Sequence, residues 1–371
     1  MRPAPSNNAG PMSSNPQHPL RQRVAQWCFA LCLGAIGGVV ALNLGAPLPW
    51  LLGGLFATGA AAAANVRAFG GPIAFPQTAR LVFIPVIGVL IGGAVTAELA
   101  AAALGWWHAA LGVAVFVCLA HWVNYQVFRR VGGLSRETAF FAGMPGGLIE
   151  SIELGSKAGA DARDLSALQF ARIAVTVTLI PLAFMFTEGH AVGSAGGARF
   201  AAAGALTLND FLLLTSAGVV GFFGARAIRL PAGQILGPIV VSGLVHALGW
   251  THAAPPDWLV SVSQLVVGVS LGQRFTGMRP AALGRCFALS LVSVGAMMAV
   301  AAVIAAPLAM AGAAPFAIML IALAPGGVVE MGLIALSLGA DPIFVTFCHL
   351  VRILVTVAVA TTAWRRMNPP G

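Results

Sequence analysis

The sequence predicts an all-α polytopic membrane protein: two inverted-topology repeats of five transmembrane helices, each with a re-entrant Pro-Gly-Gly hairpin, about ten crossings in all. Three observations lead there: an apolar composition, a stretch written twice, and a one-sided distribution of basic residues. The 371 residues are 58% hydrophobic and 8% charged, with a mean hydropathy of +0.90. A soluble core of this length cannot bury so much apolar surface. A formal charge of +9 would suggest nucleic acid in a soluble protein. Here the basic residues cluster in short loops between apolar spans, so the expected partner is a lipid bilayer and not nucleic acid.

The stretch Pro145-Gly146-Gly147-Leu148-Ile149-Glu150 recurs 180 residues later as Pro325-Gly326-Gly327-Val328-Val329-Glu330. Laid over one another without a gap, 144–177 and 324–357 share 12 identities in 34 positions, Asp161, Arg172 and Thr176 among them. Chance would give about a tenth in so biased a composition. A second block keeps the same register: VIGVLIGGAVT at 86–96 against VVGVSLGQRFT at 266–276, with Gly88 and Gly92 repeated. One unit is written twice.

Taken in order, residues 1–19 are rich in Pro, Ser and Asn and are expected to be a disordered tail. Arg21 and Arg23 then precede an apolar run to Leu44, long enough to span and without a small-residue cleavage site, so it reads as the first transmembrane helix. Repeat 1 covers 20–187, with spans at 24–43, 48–64, 81–97, 107–128 and 166–187. A Gly/Ala-rich linker covers 188–206. Repeat 2 covers 207–366, with spans at 207–225, 234–250, 258–273, 284–310 and 343–363. The Pro-Gly-Gly stretches, about 137–158 and 316–338, fall between the fourth and fifth spans of each half.

Charge decides the topology. With the N-terminus inside and each Pro-Gly-Gly stretch dipping in and returning, the inside loops hold Arg67, Arg80, Arg129, Arg130, Arg136, Lys157, Arg163, Arg226, Arg229, Arg274, Arg279, Arg285, Arg365 and Arg366. The outside loops hold Glu98, Glu188, Arg199, Asp257 and Asp341. That is a positive-inside bias, and full crossings by both stretches would spoil it. Five crossings per half is odd, so the halves insert in opposite senses, the pattern of secondary transporters with a midplane substrate site.

Pro145 and Pro325 remove a backbone donor, and the following glycines permit positive φ, so both helices must break. At membrane depth a break is tolerated inside protein or along a watery cavity. It is either a kink filled by a neighbour or the start of a half-helix whose free N–H groups attract an anion. Glu150 and Glu330 occupy the third position of that half-helix, where a carboxylate caps its own N-terminus or serves as a proton or cation site. Arg172 and Arg352 lie well inside the following spans, where an isolated arginine costs at least about 2.5 kcal/mol. Each is expected either to pair with Glu150 or Glu330 or to present its guanidinium to an anionic substrate. Asp161 and Asp341 suit helix caps. Gln169 and His349 stand one turn before the arginines and are secondary candidates for the same cavity.

The seven histidines form no ligand-spaced cluster, and there is no Walker A, GxGxxG or GxSxG stretch. The expectation is therefore no metal, no cofactor and no enzymatic activity. Five cysteines, an odd number within apolar spans, give no disulfide framework.

The paired AGMPGGLIE and LAPGGVVEMGLIAL stretches, the later aspartates and the ARIAVTV and VRILVTV spans closely resemble the bacterial AbrB membrane family of the duplicated Gram-negative type. The resemblance covers about residues 20–365. It implies a bacterial inner-membrane location, and its labels point to ammonia monooxygenase or to regulation of gene expression. Metal ligands for the first and a DNA-binding module for the second are absent from the sequence. Opposed glycine-rich loops also look, in layout only, like those of sodium-coupled citrate and glutamate transporters. The expected function is a secondary transporter of a small anionic, organic-acid-like solute coupled to H⁺ or Na⁺, with oligomeric state open. The alternative is a membrane-bound regulatory or sensory protein acting through a partner.

Overall fold

A computed structural model describes residues 20–96, 99, 103–189 and 206–368. The expected tail, Glu98 and nearly all of the 188–206 linker lie outside the described residues. Among the described residues there are fourteen α-helices and one two-residue strand pair, Arg67–Ala68 against Gly71–Pro72. In the first half they are α1 (Leu20–Asn43), α2 (Pro49–Ala63), α3 (Ala79–Gly92), α4 (Trp107–Gln126), α5 (Arg136–Ala142), α6 (Leu148–Lys157) and α7 (Ala162–Glu188). The second half has α8 (Leu208–Ala227), α9 (Gly233–Ala247), α10 (Asp257–Gly272), α11 (Pro280–Met310), α12 (Phe316–Leu323), α13 (Val328–Ser337) and α14 (Pro342–Met367).

The chain is an all-helical, multi-pass membrane protein. Among the described residues six helices, α1, α4, α7, α8, α11 and α14, are long and apolar enough to cross a bilayer. Their outward faces expose Ile36, Leu111, Trp122, Phe223 and Val303, an apolar surface suited to lipid. Trp107, Trp250 and Trp258 are also exposed, as side chains of an interfacial belt are. Four further helices are shorter: α2, α3, α9 and α10 have 15, 14, 15 and 16 residues. The span expected over 81–97 ends at Gly92, where the chain turns.

Packing follows one rule. Adding seven to the label of each helix in the first half gives its counterpart in the second, and most neighbour relations survive that exchange. Helix α2 packs on α10 as α9 does on α3; α4 packs on α14 as α11 does on α7; α3 meets α10 and α4 meets α11 directly. Glycines make the close crossings. A β-carbon on Gly37 would strike the Gly53 carbonyl, and one on Gly237 would strike that of Gly221, so α1/α2 and α8/α9 touch backbone to backbone at matching points. Gly88 lies over the Ile235 carbonyl, and Gly268 over that of Leu51. The glycines repeated in the sequence are therefore contact points between helices.

Several basic residues meet at one end of the bundle. Arg285 donates to the Gly132 carbonyl, Arg136 to that of Met367 at 3.4 Å, and Arg274 to the Gln77 side chain. At the other end Thr251 donates to Asp210 at 2.6 Å, and the Trp106 ring meets Phe344.

Candidate functional site

The first Pro-Gly-Gly stretch turns the chain back on itself. Helix α5 ends at Ala142, before Pro145, and α6 begins at Leu148. Gly147 sits in the left-handed region at φ 66°, a conformation that suits glycine. The two arms then run antiparallel. Ser151 donates to the Phe141 carbonyl at 2.7 Å, a β-carbon on Gly155 would meet Phe141, and the Asp161 N–H donates to Thr138 Oγ1 at 3.0 Å. The start of α5 is thus pinned to the exit of α6. In the second half α12 and α13 flank the Pro325 break. There Gly327 is extended, at φ −79°, so the positive φ expected of the motif is used in one copy only.

Each break lies against the long helix of the opposite half. A β-carbon on Gly146 would sit 3.4 Å from both Arg352 Nε and Thr356 Oγ1 of α14. One on Gly326 would sit 3.2 Å from Thr176 Cγ2 of α7. Thr176 and Thr356 occupy equivalent positions, one helical turn past the arginines. Their identity across the repeat is visible in the sequence, but their place beside the breaks is not.

The arginines do not pair with the glutamates. Arg172 donates to the Met144 carbonyl, and Arg352 to the carbonyls of Ala324 and, at 2.7 Å, Gly326. Met144 and Ala324 are the residues just before the two prolines, where the helix has ended and its last carbonyls lack amide partners. A guanidinium fork satisfies them, which a carboxylate cannot do. Among the described residues the one ion pair is Lys157–Glu153, at 2.7 Å and exposed.

The glutamates curl back over their own breaks. The Glu150 carboxylate oxygen lies 3.2 Å from a β-carbon placed on Gly147, and Glu330 Oε2 is closer still to Gly327. Glu330 is 5% exposed, whereas Glu150 is half-buried. The difference follows from packing: α13 lies against α3, and α6 makes no comparable contact with α10. Arg80, at the start of α3, brings a positive charge within reach of Glu330.

Asp161 caps α7 by accepting from the N–H groups of Arg163 and Asp164, and Asp341 caps α14 by accepting from that of Ile343. Burial pushes the Asp341 carboxyl up from its usual range, opposed by the amides of Ile343 and Phe344. Gln169 ties the first hairpin to α7, donating to Ser151 Oγ at 2.8 Å and to the Phe141 carbonyl at 3.2 Å. His349 Nδ1 lies 2.9 Å from the Val345 carbonyl.

The family described as "Transition state regulatory protein AbrB" matches residues 50–368. The chain belongs to the AbrB family. Its relatives include the "Uncharacterized protein YhjN" of Bacillus subtilis (strain 168), 25% identical over 282 residues, which are 71% of each chain. The "Putative regulator AbrB" of Escherichia coli (strain K12) is 22% identical over 321 residues, 86% of this chain and 89% of the relative. The match to the family takes in both Pro-Gly-Gly breaks and both arginines, so the site lies wholly within it.

Proposed function

We propose that this AbrB-family chain is a secondary transporter of the bacterial inner membrane, moving a small anionic, organic-acid-like solute with H⁺ or Na⁺. One observation carries the reading: each broken helix lies against the unbroken helix of the other half, so a site between them belongs to both halves. In this reading both Pro-Gly-Gly segments are re-entrant. An arm of seven or ten residues spans about 10–15 Å, well short of a 30 Å hydrocarbon core. The pinned ends of the first hairpin support its return to the face it entered from. Each half then makes five crossings, the halves are inverted, and the basic end faces the cytoplasm together with the N-terminus. The four short helices cross inside the bundle, where protein and not lipid surrounds much of their length.

Transport by such a protein requires a seat that opens first to one side and then to the other, and interrupted helices at matching places serve that purpose. The half-helices α6 and α13 begin at the breaks, and their N-termini favour negative charge, part of which Glu150 and Glu330 supply by folding back over them. Glu150 and Glu330 then carry the coupling ion. The test is uptake of labelled organic acids into proteoliposomes, with and without a pH or Na⁺ gradient. Gradient-driven accumulation is the expected result. Binding without accumulation under every gradient would overturn it in favour of a sensor, the reading to which the name of the E. coli relative points.

A further inference from the structure

Seven of the nine buried side-chain atoms without a hydrogen-bond partner among the described residues lie on two helices. On α7 they are Gln169 Oε1, Arg172 Nε and Thr176 Oγ1; on α14 they are Thr346 Oγ1, His349 Nε2, Arg352 Nε and Thr356 Oγ1. Positions 169, 172 and 176, like 349, 352 and 356, are spaced i, i+3, i+7 and so share one face of their helix. All seven residues are at most 4% exposed. A buried polar atom without a partner costs stability, and a set repeated at equivalent positions of two helices calls for a common cause.

The threonines sharpen the point. Several other helical threonines are satisfied by the carbonyl four residues back: Thr58 on Gly54 at 2.6 Å, Thr178 on Ala174 at 2.7 Å, Thr361 on Val357 at 2.8 Å. Thr176 and Thr356 do not use that default. Their hydroxyls stand beside guanidinium groups whose Nε–H is also free, and Thr356 Oγ1 and Arg352 Nε both border the bare face of Gly146. The two arginines lie close enough for their charges to repel, and neither is paired with a carboxylate. The breaks are thus bordered by unpartnered donors and two guanidinium groups, with the Glu150 and Glu330 carboxylates folded over the other side of their own glycines.

We propose that Arg172 Nε, Thr176 Oγ1, Arg352 Nε and Thr356 Oγ1 form a single seat for a small dicarboxylate at the crossing of the two Pro-Gly-Gly breaks. The inference deepens the transport reading and takes from it that the ligand is a small anion. Guanidinium N–H and hydroxyl groups all donate to carboxylate oxygens. Once Glu150 and Glu330 hold the coupling ion and are neutralised, the two guanidinium charges, one from each half, favour a dianion over a monoanion. Gly146 brings the first break within contact of the seat, since a β-carbon there would already touch Arg352 Nε and Thr356 Oγ1. One ligand binds per chain, because the two halves build one seat between them.

The purified full-length chain in detergent is titrated with sodium succinate, with acetate, phosphate and chloride as comparisons, by calorimetry and thermal melting. Succinate is expected to bind one per chain and to raise the melting temperature more than the other three. Thr176→Val and Thr356→Val should each weaken it about ten-fold or more. Without ligand they should melt at the wild-type temperature or above it, since an orphan hydroxyl has been removed. Thr176→Ser and Thr356→Ser should retain binding. No succinate binding, two ligands per chain, equal response to acetate, phosphate or chloride, or Val variants that bind as wild type would each overturn the seat. Uptake that persists unchanged in the Val variants would remove the seat and leave transport standing. Succinate binding that follows the pattern above, without uptake, would remove transport and leave the seat.

Discussion

Thr138 Oγ1, near the start of α5, accepts the N–H of Asp161, the residue that caps α7. Twenty-three residues separate them in sequence, yet they meet at 3.0 Å because α5 and α6 form a closed hairpin. Entry and exit must therefore lie at one level of the bundle. In a variant lacking the five native cysteines, Ser156→Cys is expected to react with a membrane-impermeant thiol reagent from the cytoplasmic side. Leu338→Cys, at the exit of the second hairpin, should react from the outside. Reaction of both from one face would exclude inverted halves.

The carbonyl clamps predict how the arginine variants behave. Arg172→Gln leaves the Met144 carbonyl without its partner and should cost about 1–3 kcal/mol of stability. Because Arg172 and Glu150 are not paired, adding Glu150→Gln should bring no rescue, and the two effects should sum within about 0.5 kcal/mol. Denaturation of both singles and the double in detergent measures this, and a large rescue in the double would restore the ion pair.

For Glu330→Gln the fold should survive. The carboxylate is buried, makes no ion pair, and folds back over its own break, so a neutral isostere relieves an unfavourable burial. Melting temperature should hold or rise while gradient-driven uptake is lost. Retained uptake in a well-folded Glu330→Gln protein would show that the coupling ion is carried elsewhere.

Glycines separate into two kinds. Gly221→Ala drives a β-carbon into the Gly237 backbone and is expected to cost about 1–3 kcal/mol, as overpacking does. Gly224, one turn along the same helix, has open space at that position, so Gly224→Ala should stabilise by about 0.5–1 kcal/mol. Equal melting temperatures for the two variants would mean that α8 and α9 are not in backbone contact.

Much of the fold was legible because its elements are apolar runs bounded by charge and turns. The helix starts at Trp107 and Leu208 fall within a residue of expectation, as do the half-helix starts at Leu148 and Val328. The repeat made Arg172 and Arg352 visible as a pair but not what they hold. An orphan carbonyl is a property of where a helix stops, and side-chain letters do not report it. The same limit hid Thr176 and Thr356. Their identity across the repeat was plain, but burial and the missing back-bond are matters of rotamer and neighbours. Nor could two copies of one motif disclose that Glu330 would be enclosed and Glu150 half open, since the contact of α13 with α3 lies far away in sequence.

The arginine clamps also decide what travels together. Arg172 ties the end of α5 to α7, and Arg352 ties the second break to α14, so in each half the interrupted and unbroken helices form one rigid lever. Between the levers, Gly146 lies against Thr356 and the Arg352 Nε, and Gly326 against Thr176, with no hydrogen bond from these glycines across the seam among the described residues. A rocking motion of one half over the other would slip along that seam with the Arg172 and Arg352 clamps closed, while the Arg285–Gly132 and Arg136–Met367 contacts that join the halves would have to part.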